Sequence, residues 1–195
     1  MTSLPLNNYT GMTNNDVLKV VHEYRTYFSD INGELATLEN ELKKETSATS
    51  RKNTFGHVTA SGLVIKDSTV LLIFHNKLQK FIQPGGHIEG EATLWSASQR
   101  EVEEETGMRV QLHPWHSEHN FIPLNIDIHT IPFSAKKQEA EHFHYDFTYV
   151  FSVLDETIML QEEEVSDLKW LPITTQFDDR LLRDASRKII DLGIC

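Results

Sequence analysis

Cysteine is almost absent from this chain, which contains only Cys195 among its 195 residues. One cysteine cannot form a disulfide within the chain, and such sparing use is typical of proteins in a reducing compartment. The sequence also lacks any apolar run close to the roughly 20 residues needed to span a bilayer. Residues 1–15 contain neither a basic start nor an apolar stretch, so they do not have the pattern of a secretory signal. These absences favour a cytoplasmic protein with no membrane segment.

Basic residues are also scarce. Lysine and arginine number 18 against 29 aspartates and glutamates, which gives a formal net charge of −11. A general nucleic-acid binder needs a basic surface to neutralise phosphates, so the charge argues against that class of function. It does not argue against a nucleotide substrate, because a bound cation can bridge protein carboxylates to phosphate oxygens.

The chain has room for one domain of about 140 residues and an extension. Asn14 or Asn15 can cap a helix that runs to about Phe28, and leucines at 35, 38 and 42 mark a shorter second helix. Residues 46–53 form a polar linker. We therefore expect an N-terminal helical extension over 1–50 and the main domain over 51–195. The two helices could cover the domain or form a homodimer contact, and the first option is favoured.

From Phe55 onward the hydrophobic pattern changes to the alternation typical of strands. A turn at 66–68 joins the first two strands into a hairpin, and the chain ends in a helix over 177–192. Strands interspersed with a few helices predict an α/β domain. The predicted strands cover 57–65, 69–75, 109–112, 125–131, 142–154 and 168–171.

The most informative stretch spans residues 85–108. If its second half is helical, Glu101 lies one turn from both Glu104 and Glu105, so the three carboxylates share a face. Such neighbours repel by roughly a few tenths of a kcal/mol per pair, so the helix gains nothing from them alone. A bound divalent cation that prefers hard oxygen ligands, such as Mg²⁺ or Mn²⁺, would make the close approach of these carboxylates favourable. Gly85 and Gly86 just before the helix allow the backbone to approach a ligand closely.

This combination resembles the Nudix box, whose pattern is Gly, five residues, Glu, seven residues, then Arg-Glu-U-x-Glu-Glu-x-Gly-U, with U a bulky aliphatic residue. Counted from Gly86, the position of the first Glu is occupied by Ala92, and Glu91 lies one residue early. The second half of the pattern matches in full at Arg100, Glu101, Val102, Glu104, Glu105, Gly107 and Met108.

The resemblance, closest to the bacterial MutT-like members, implies the Nudix fold, a mixed β-sheet sandwiched between helices. It also implies Mg²⁺-dependent or Mn²⁺-dependent hydrolysis of a pyrophosphate bond in a nucleoside diphosphate linked to another moiety. By the same resemblance, Glu101, Glu104 and Glu105 hold the metal with the carbonyl of Gly85. Arg100 holds a box carboxylate in place.

The general base is open at this stage. Glu104 is the candidate within the box. An acidic loop before the last predicted strand offers a further carboxylate, from Glu162, Glu163 or Glu164.

A second group of polar residues lies outside the box. Asp127 and His129 share one face of a predicted strand, because alternate residues of a strand point the same way. His142, His144 and Asp146 do the same on a later strand. If these strands pair, the side chains converge, and we expect them mainly to contact the substrate; a second metal site and a merely polar sheet face are the other interpretations.

Two further histidines are weaker candidates. These are His57 and His87, since a lone histidine is more often structural; His87 is still included among the candidates for substrate contact.

Three alternative interpretations remain for the chain as a whole. The acidic helix could be an ordinary solvated surface. Ala92 in place of glutamate could mark a decayed box in a non-catalytic nucleotide-binding or regulatory module. The N-terminal helices could instead serve an interaction protein. The pattern of residues does not identify the nucleotide substrate.

Overall fold

The computed structural model describes residues 11–29, 33–135, 138–174 and 176–194; Cys195 lies outside these ranges. Its helices are α1 (Asn14–Tyr27), α2 (Glu34–Leu42), α3 (Leu94–Thr106), α4 (Pro114–Glu118) and α5 (Arg180–Leu192). Its strands are β1 (Gly56–Lys66), β2 (Thr69–His75), β3 (Lys80–Ile82), β4 (Gly85–His87), β5 (Arg109–Leu112), β6 (Asn125–Ile131), β7 (His142–Asp155) and β8 (Val165–Pro172). Among the described residues, no helix has the length and apolar composition required to cross a membrane.

The strands form one mixed sheet in which β1 and β7 run side by side. These two strands are parallel, whereas the other pairings are antiparallel. Strand β7 also pairs with β5 and β6, β1 with β2 and β4, and β2 with β3 and β8. Helices pack on both faces of this sheet. This arrangement confirms the expected α/β class and the mixed sheet of the Nudix fold.

The two faces of the sheet bury different clusters. Helices α1, α2 and α3 contribute to a cluster that includes Tyr145, Phe147 and Tyr149 of β7. Helices α4 and α5 contribute to a second cluster that includes Val150 of the same strand. Because side chains alternate along a strand, the even-numbered residues of β7 face the side of α5. The histidines and the aspartate at the start of β7 therefore lie on that side.

The N-terminal helices pack on the domain core, since buried residues of both belong to its larger cluster. The start of α1 corrects the prediction: Thr13, rather than Asn14 or Asn15, is the N-cap and forms a capping box with Asp16. Asn14 instead uses its side chain to bind the linker. Its amide donates to the carbonyls of Lys44 and Thr46, and its oxygen accepts from the N–H of residue 48.

The sequence patterns did not predict three elements, which are β3, β4 and α4. Strand β4 consists of two glycines and a histidine, which carry no apolar alternation, and its pairing with β1 makes it a strand. Helix α4 is short and begins at Pro114, a residue well suited to the first helical position. The closing helix starts at Arg180 rather than 177 because Asp179 caps it, and β8 begins at Val165 rather than 168.

Candidate active site

Helix α3 carries the box carboxylates and lies close against β1. Its N-cap is Thr93, whose side chain accepts from the N–H of Ser96, and it ends at Gly107, which has a positive φ of 74°. A Cβ on Gly62 of β1 would lie only 2.3 Å from Cγ2 of Val102. The helix can therefore approach the sheet closely only because residue 62 has no side chain.

Glu101 and Glu105 point from α3 towards the short strand β4. Glu105 Oε2 accepts a hydrogen bond from the N–H of Gly85 at 2.9 Å. A Cβ on Gly86 would lie 2.5 Å from Oε1 of Glu101. The paired glycines thus bring the backbone against both carboxylates, as their position before the helix predicts.

Of these two crowded carboxylates, Glu105 is buried and Glu101 is partly buried. Glu105 is only 3% exposed. Burial, with the charges of Glu101, Glu164 and Glu104 in addition, raises the pKa of Glu105 to about 8. Burial also raises the pKa of Glu101 to about 7, in spite of the opposing charge of Arg100. A cation between them would favour their ionised forms, and a set of carboxylate and carbonyl oxygens suits Mg²⁺ or Mn²⁺.

Arg100 binds several acceptors around this cluster. Its Nη1 lies 2.8 Å from Oε2 of Glu104, and its Nη2 lies 3.0 Å from Oε1 of Glu101. Nη2 also donates to the carbonyl oxygen of His87 at 2.8 Å. The planar guanidinium therefore links the box helix to the end of β4.

Ala92 departs from the box pattern, but the neighbouring Glu91 binds Arg100. Glu91, one residue earlier, accepts a hydrogen bond from Nε of Arg100 and another, at 2.7 Å, from the N–H of Glu89. Although burial acts in the opposite direction, the bond from Arg100 lowers the pKa of Glu91. An ionised carboxylate therefore reaches Arg100 even though residue 92 is alanine.

The acidic loop before β8 packs against the C-terminal end of α3, where the N–H of Met159 donates to the carbonyl of Thr106 at 2.9 Å. Glu162 and Glu163 are exposed, whereas Glu164 is partly buried and forms an ion pair with Lys77. The charge of Glu164 contributes to the raised pKa of Glu105. Of the three glutamates, Glu164 is thus the one whose charge acts on Glu105.

The polar residues outside the box do converge. The register of β6 and β7 places Asp127 opposite Asp146 and His129 opposite His144. The rings of His129 and His144 are 5.6 Å apart between centroids. His142 lies two residues along the same strand, with its ring 5.2 Å from that of His144. The geometry expected from the alternation of side chains is observed.

His57, the other weaker candidate, joins this group. It lies opposite His144 in the parallel pairing of β1 with β7, with ring centroids 4.7 Å apart. Its Nε2 lies 3.0 Å from Nε2 of His87. A signal was present in the sequence, because His57, Thr59 and Ser61 make one face of an otherwise apolar strand polar.

The two aspartates of this group are already bound by other side chains. Asp146 accepts hydrogen bonds from the hydroxyls of Thr59 at 2.9 Å and Ser61 at 2.5 Å. Asp127 lies 2.7 Å from Nδ1 of His129 and forms an ion pair with Arg180 at 2.6 Å. Arg180 is a further residue that sequence reasoning missed, because it lies on the distant helix α5.

The environment pushes the histidine pKa values in opposite directions. Burial lowers the pKa of His129, but the hydrogen bond to Asp127 and the charges of Asp127 and Asp146 together outweigh it, and the net shift is upward. Burial, reinforced by the neighbouring imidazoles, lowers the pKa of His144 to about 2. His144 is therefore a neutral imidazole with a lone pair, whereas His129 gains a proton more readily.

Comparison with known proteins adds an independent finding. A curated protein from Lactococcus lactis subsp. cremoris (strain MG1363), named as a probable DHNTP pyrophosphohydrolase, is 28% identical over 111 residues. The match covers 57% of this chain and 60% of that protein, so the chain spans less than two thirds of its relative's length.

Solved structures show similar folds. A NUDIX hydrolase from Nitrosomonas europaea aligns with a TM-score of 0.50 at 20% identity, over 70% of this chain and 88% of the other. A NUDIX-family hydrolase from Clostridium perfringens is 26% identical with a TM-score of 0.47, over 70% and 97% of the two chains. The family model of the NUDIX domain matches residues 56–192, which is well over half of the sequence. This protein therefore belongs to the Nudix hydrolase family.

Proposed function

We propose that this protein hydrolyses a pyrophosphate bond in a nucleoside diphosphate linked to another moiety, with Mg²⁺ or Mn²⁺ as its cofactor. Nudix hydrolases generally use divalent metals. The observation that carries the proposal is the pair formed by the partly buried Glu101 and the buried Glu105, held against the backbone of Gly85 and Gly86. Two crowded carboxylates with raised pKa values are costly without a cation. We also propose residues 1–50 as an extension to a hydrolase domain over 51–195.

Glu101, Glu104 and Glu105 would hold the cation, together with the carbonyl oxygen of Gly85. When bound, such a cation supplies a more acidic water and neutralises charge on the phosphate oxygens. Arg100 orients Glu101 and Glu104 through its charge-assisted contacts with one oxygen of each.

The base that takes a proton from the attacking water is assigned to Glu104. Its side chain is 53% exposed, so water reaches it, and Arg100 fixes its position at 2.8 Å. The acidic loop offers an alternative base. Glu164 is a better candidate than Glu162 or Glu163, because its charge contributes to the raised pKa of Glu105. Comparison of Glu104→Gln with Glu164→Gln in a pH–rate profile decides between them.

Substrate contact is assigned to the polar group on β4, β6 and β7. Neutral imidazoles can donate or accept hydrogen bonds, whereas the bound aspartates hold their neighbours in place. The name of the Lactococcus relative makes DHNTP one compound to include among the candidate substrates. The group consists of His87, Asp127, His129, His142, His144 and Asp146.

A screen of nucleotides and DHNTP with Mg²⁺ or Mn²⁺, read by chromatography as the two phosphate-bearing products of the cleavage, tests the proposal. We expect turnover of at least one compound, and its loss on chelation. Glu105→Gln serves as the inactive variant. Glu103→Gln is the matched control, because Glu103 lies on the same helix but accepts from Gln99 and the N–H of Val110. Nucleotide binding without turnover would indicate the regulatory module instead.

A further inference from the structure

Five imidazoles gather where β1, β4, β6 and β7 meet, half of the ten histidines in the sequence. Three of them, His57, His87 and His144, each offer one ring nitrogen, and these atoms all lie within 4.8 Å of one another. The other histidines and the carboxylates of the box are outside this inner group. The three form a compact set of nitrogen ligands.

One nitrogen–nitrogen distance in this group is close to that of a zinc centre, and the others are within 4.8 Å. Zinc binds histidine nitrogen at about 2.0–2.1 Å in a tetrahedron, which places ligand nitrogens about 3.3 Å apart. Nε2 of His57 and Nε2 of His87 are already 3.0 Å apart. Closing the remaining gap to His144 needs only small side-chain rotations, because the three nitrogens start within 4.8 Å.

The pair formed by His57 and His87 also has an exchangeable proton. Two Nε2 atoms at hydrogen-bond distance require a proton on one of them. A cation that binds both nitrogens requires the tautomer with the proton on Nδ1 of each ring, so the donating ring exchanges its tautomer with no net loss of a proton.

The surroundings of the group resemble the support that metal-binding histidines receive. Nδ1 of His57 faces the carbonyl oxygen of Asn53 at 3.4 Å, the kind of contact that leaves Nε2 as the ligand. His57 and His144 are fixed in register on the two long parallel strands, and His87 is fixed by the pairing of β4 with β1. Rigid strands keep ligand positions well defined.

We propose that His57, His87 and His144 form a second metal site, separate from the carboxylate cluster, that binds a divalent transition-metal cation of the Zn²⁺ class. Imidazole nitrogen suits zinc and cobalt, whereas Mg²⁺ prefers carboxylate, carbonyl and water oxygens. The two sites thus select different ions. His87 and His144 are partly exposed, so a cation can enter from solvent and keep a fourth position for water or for an oxygen of a bound compound.

The test uses Co²⁺ alone as the probe, added to the full-length protein after chelator treatment. Tetrahedral Co²⁺ absorbs strongly in the visible range, and this spectrum requires no hydrolysis. We expect one Co²⁺ per chain, displaced by Zn²⁺ but not by excess Mg²⁺. The spectrum should persist in Glu105→Gln, so that failure of the proposed hydrolysis and failure of this site are distinguishable.

Histidine variants locate the ion. We expect His144→Asn and His87→Asn to weaken Co²⁺ binding at least about 100-fold, since even the outer partners of metal ligands contribute about 10–100-fold. His22→Asn is the matched control, because His22 lies on α1 with its side chain 59% exposed. Circular dichroism checks that each variant folds.

Anomalous scattering at the zinc edge, from crystals of the unchanged protein soaked in Zn²⁺, gives a location that does not depend on any variant. Density between the three imidazoles supports the site. Histidine variants that bind Co²⁺ like the unchanged protein would overturn the proposal. Loss of binding in Glu105→Gln, or zinc density only at the box carboxylates or on the surface, would do the same.

Discussion

Replacing Glu105 with glutamine is the sharpest perturbation of the carboxylate cluster. The side chain is 3% exposed, and its Oε2 accepts from the N–H of Gly85 at 2.9 Å. Glutamine has the same shape and retains an acceptor oxygen, so the contact with β4 survives while the charge is removed. We therefore expect a folded protein with an altered response to pH and to metal.

The size of the effect follows from the pKa of Glu105, which burial and neighbouring charges raise from 4.5 to about 8. One pKa unit corresponds to about 1.36 kcal/mol, so ionising this group without a cation lowers the free energy of unfolding by roughly 3–5 kcal/mol. The favourable contribution of the neutral form is complete below pH 4.5 and is lost as the pH rises through 8. In chelator, Glu105→Gln should thus be more stable than the unchanged protein at pH 9 and nearly equal to it at pH 4.5.

Bound metal should reverse the order of stability of the two proteins at high pH. Mg²⁺ should raise the melting temperature of the unchanged protein, most strongly at high pH where the carboxylates are ionised, and should have little effect on Glu105→Gln. Turnover should fall by about two orders of magnitude or more, because a ligand of the cation is lost. Thermal unfolding at several pH values, with chelator or with Mg²⁺, measures the change in stability. Release of the hydrolysis products measures the change in turnover.

Glu103→Gln should behave like the unchanged protein in both assays. Near-normal turnover of Glu105→Gln, or an equal stabilisation of both proteins by Mg²⁺, would refute the reasoning.

Three further predictions concern the residues that position this cluster. Arg100→Lys should reduce turnover at least about tenfold, because an ammonium cannot reproduce the several contacts of the guanidinium. Steady-state kinetics measure this effect, and unchanged turnover in the variant would contradict the prediction. Gly86→Ala should raise the Mg²⁺ concentration needed for half-maximal activity, because the new Cβ would lie 2.5 Å from Oε1 of Glu101; an unchanged Mg²⁺ titration would contradict this. Gly62→Ala should lower the free energy of unfolding by about 1–3 kcal/mol in urea denaturation, because its Cβ would lie 2.3 Å from Cγ2 of Val102; equal midpoints would show that α3 can shift.

The box could be interpreted from the sequence because its geometry is local. Residues three and four apart on a helix share a face whatever the rest of the chain does, so the approach of Glu104 and Glu105 to Glu101 followed from spacing alone. The N-cap Thr93 and the C-cap Gly107 are local signals of the same kind, although the prediction of this helix did not use them. The fold itself came from the resemblance, since alternation alone does not determine strand order.

Long-range pairing set the limit of sequence reasoning. His57 joins the other histidines only because β1 runs parallel to β7, a strand that begins some 85 residues later, and no local pattern specifies that partner. Strand β4 was missed because two of its three residues are glycine. The cap of α1 moved to Thr13 because Asn14 is engaged with the linker, a competition between partners that a propensity scale does not contain.

Strand β4 has a consequence for the coupling of the two polar regions. Within three residues it gives an N–H to Glu105, a carbonyl to Arg100 and an imidazole to the histidine group. A shift of this segment along β1 would move all three contacts together. Occupancy of the carboxylate cluster should therefore stiffen the histidine group, and a substitution in this tripeptide should impair both at once.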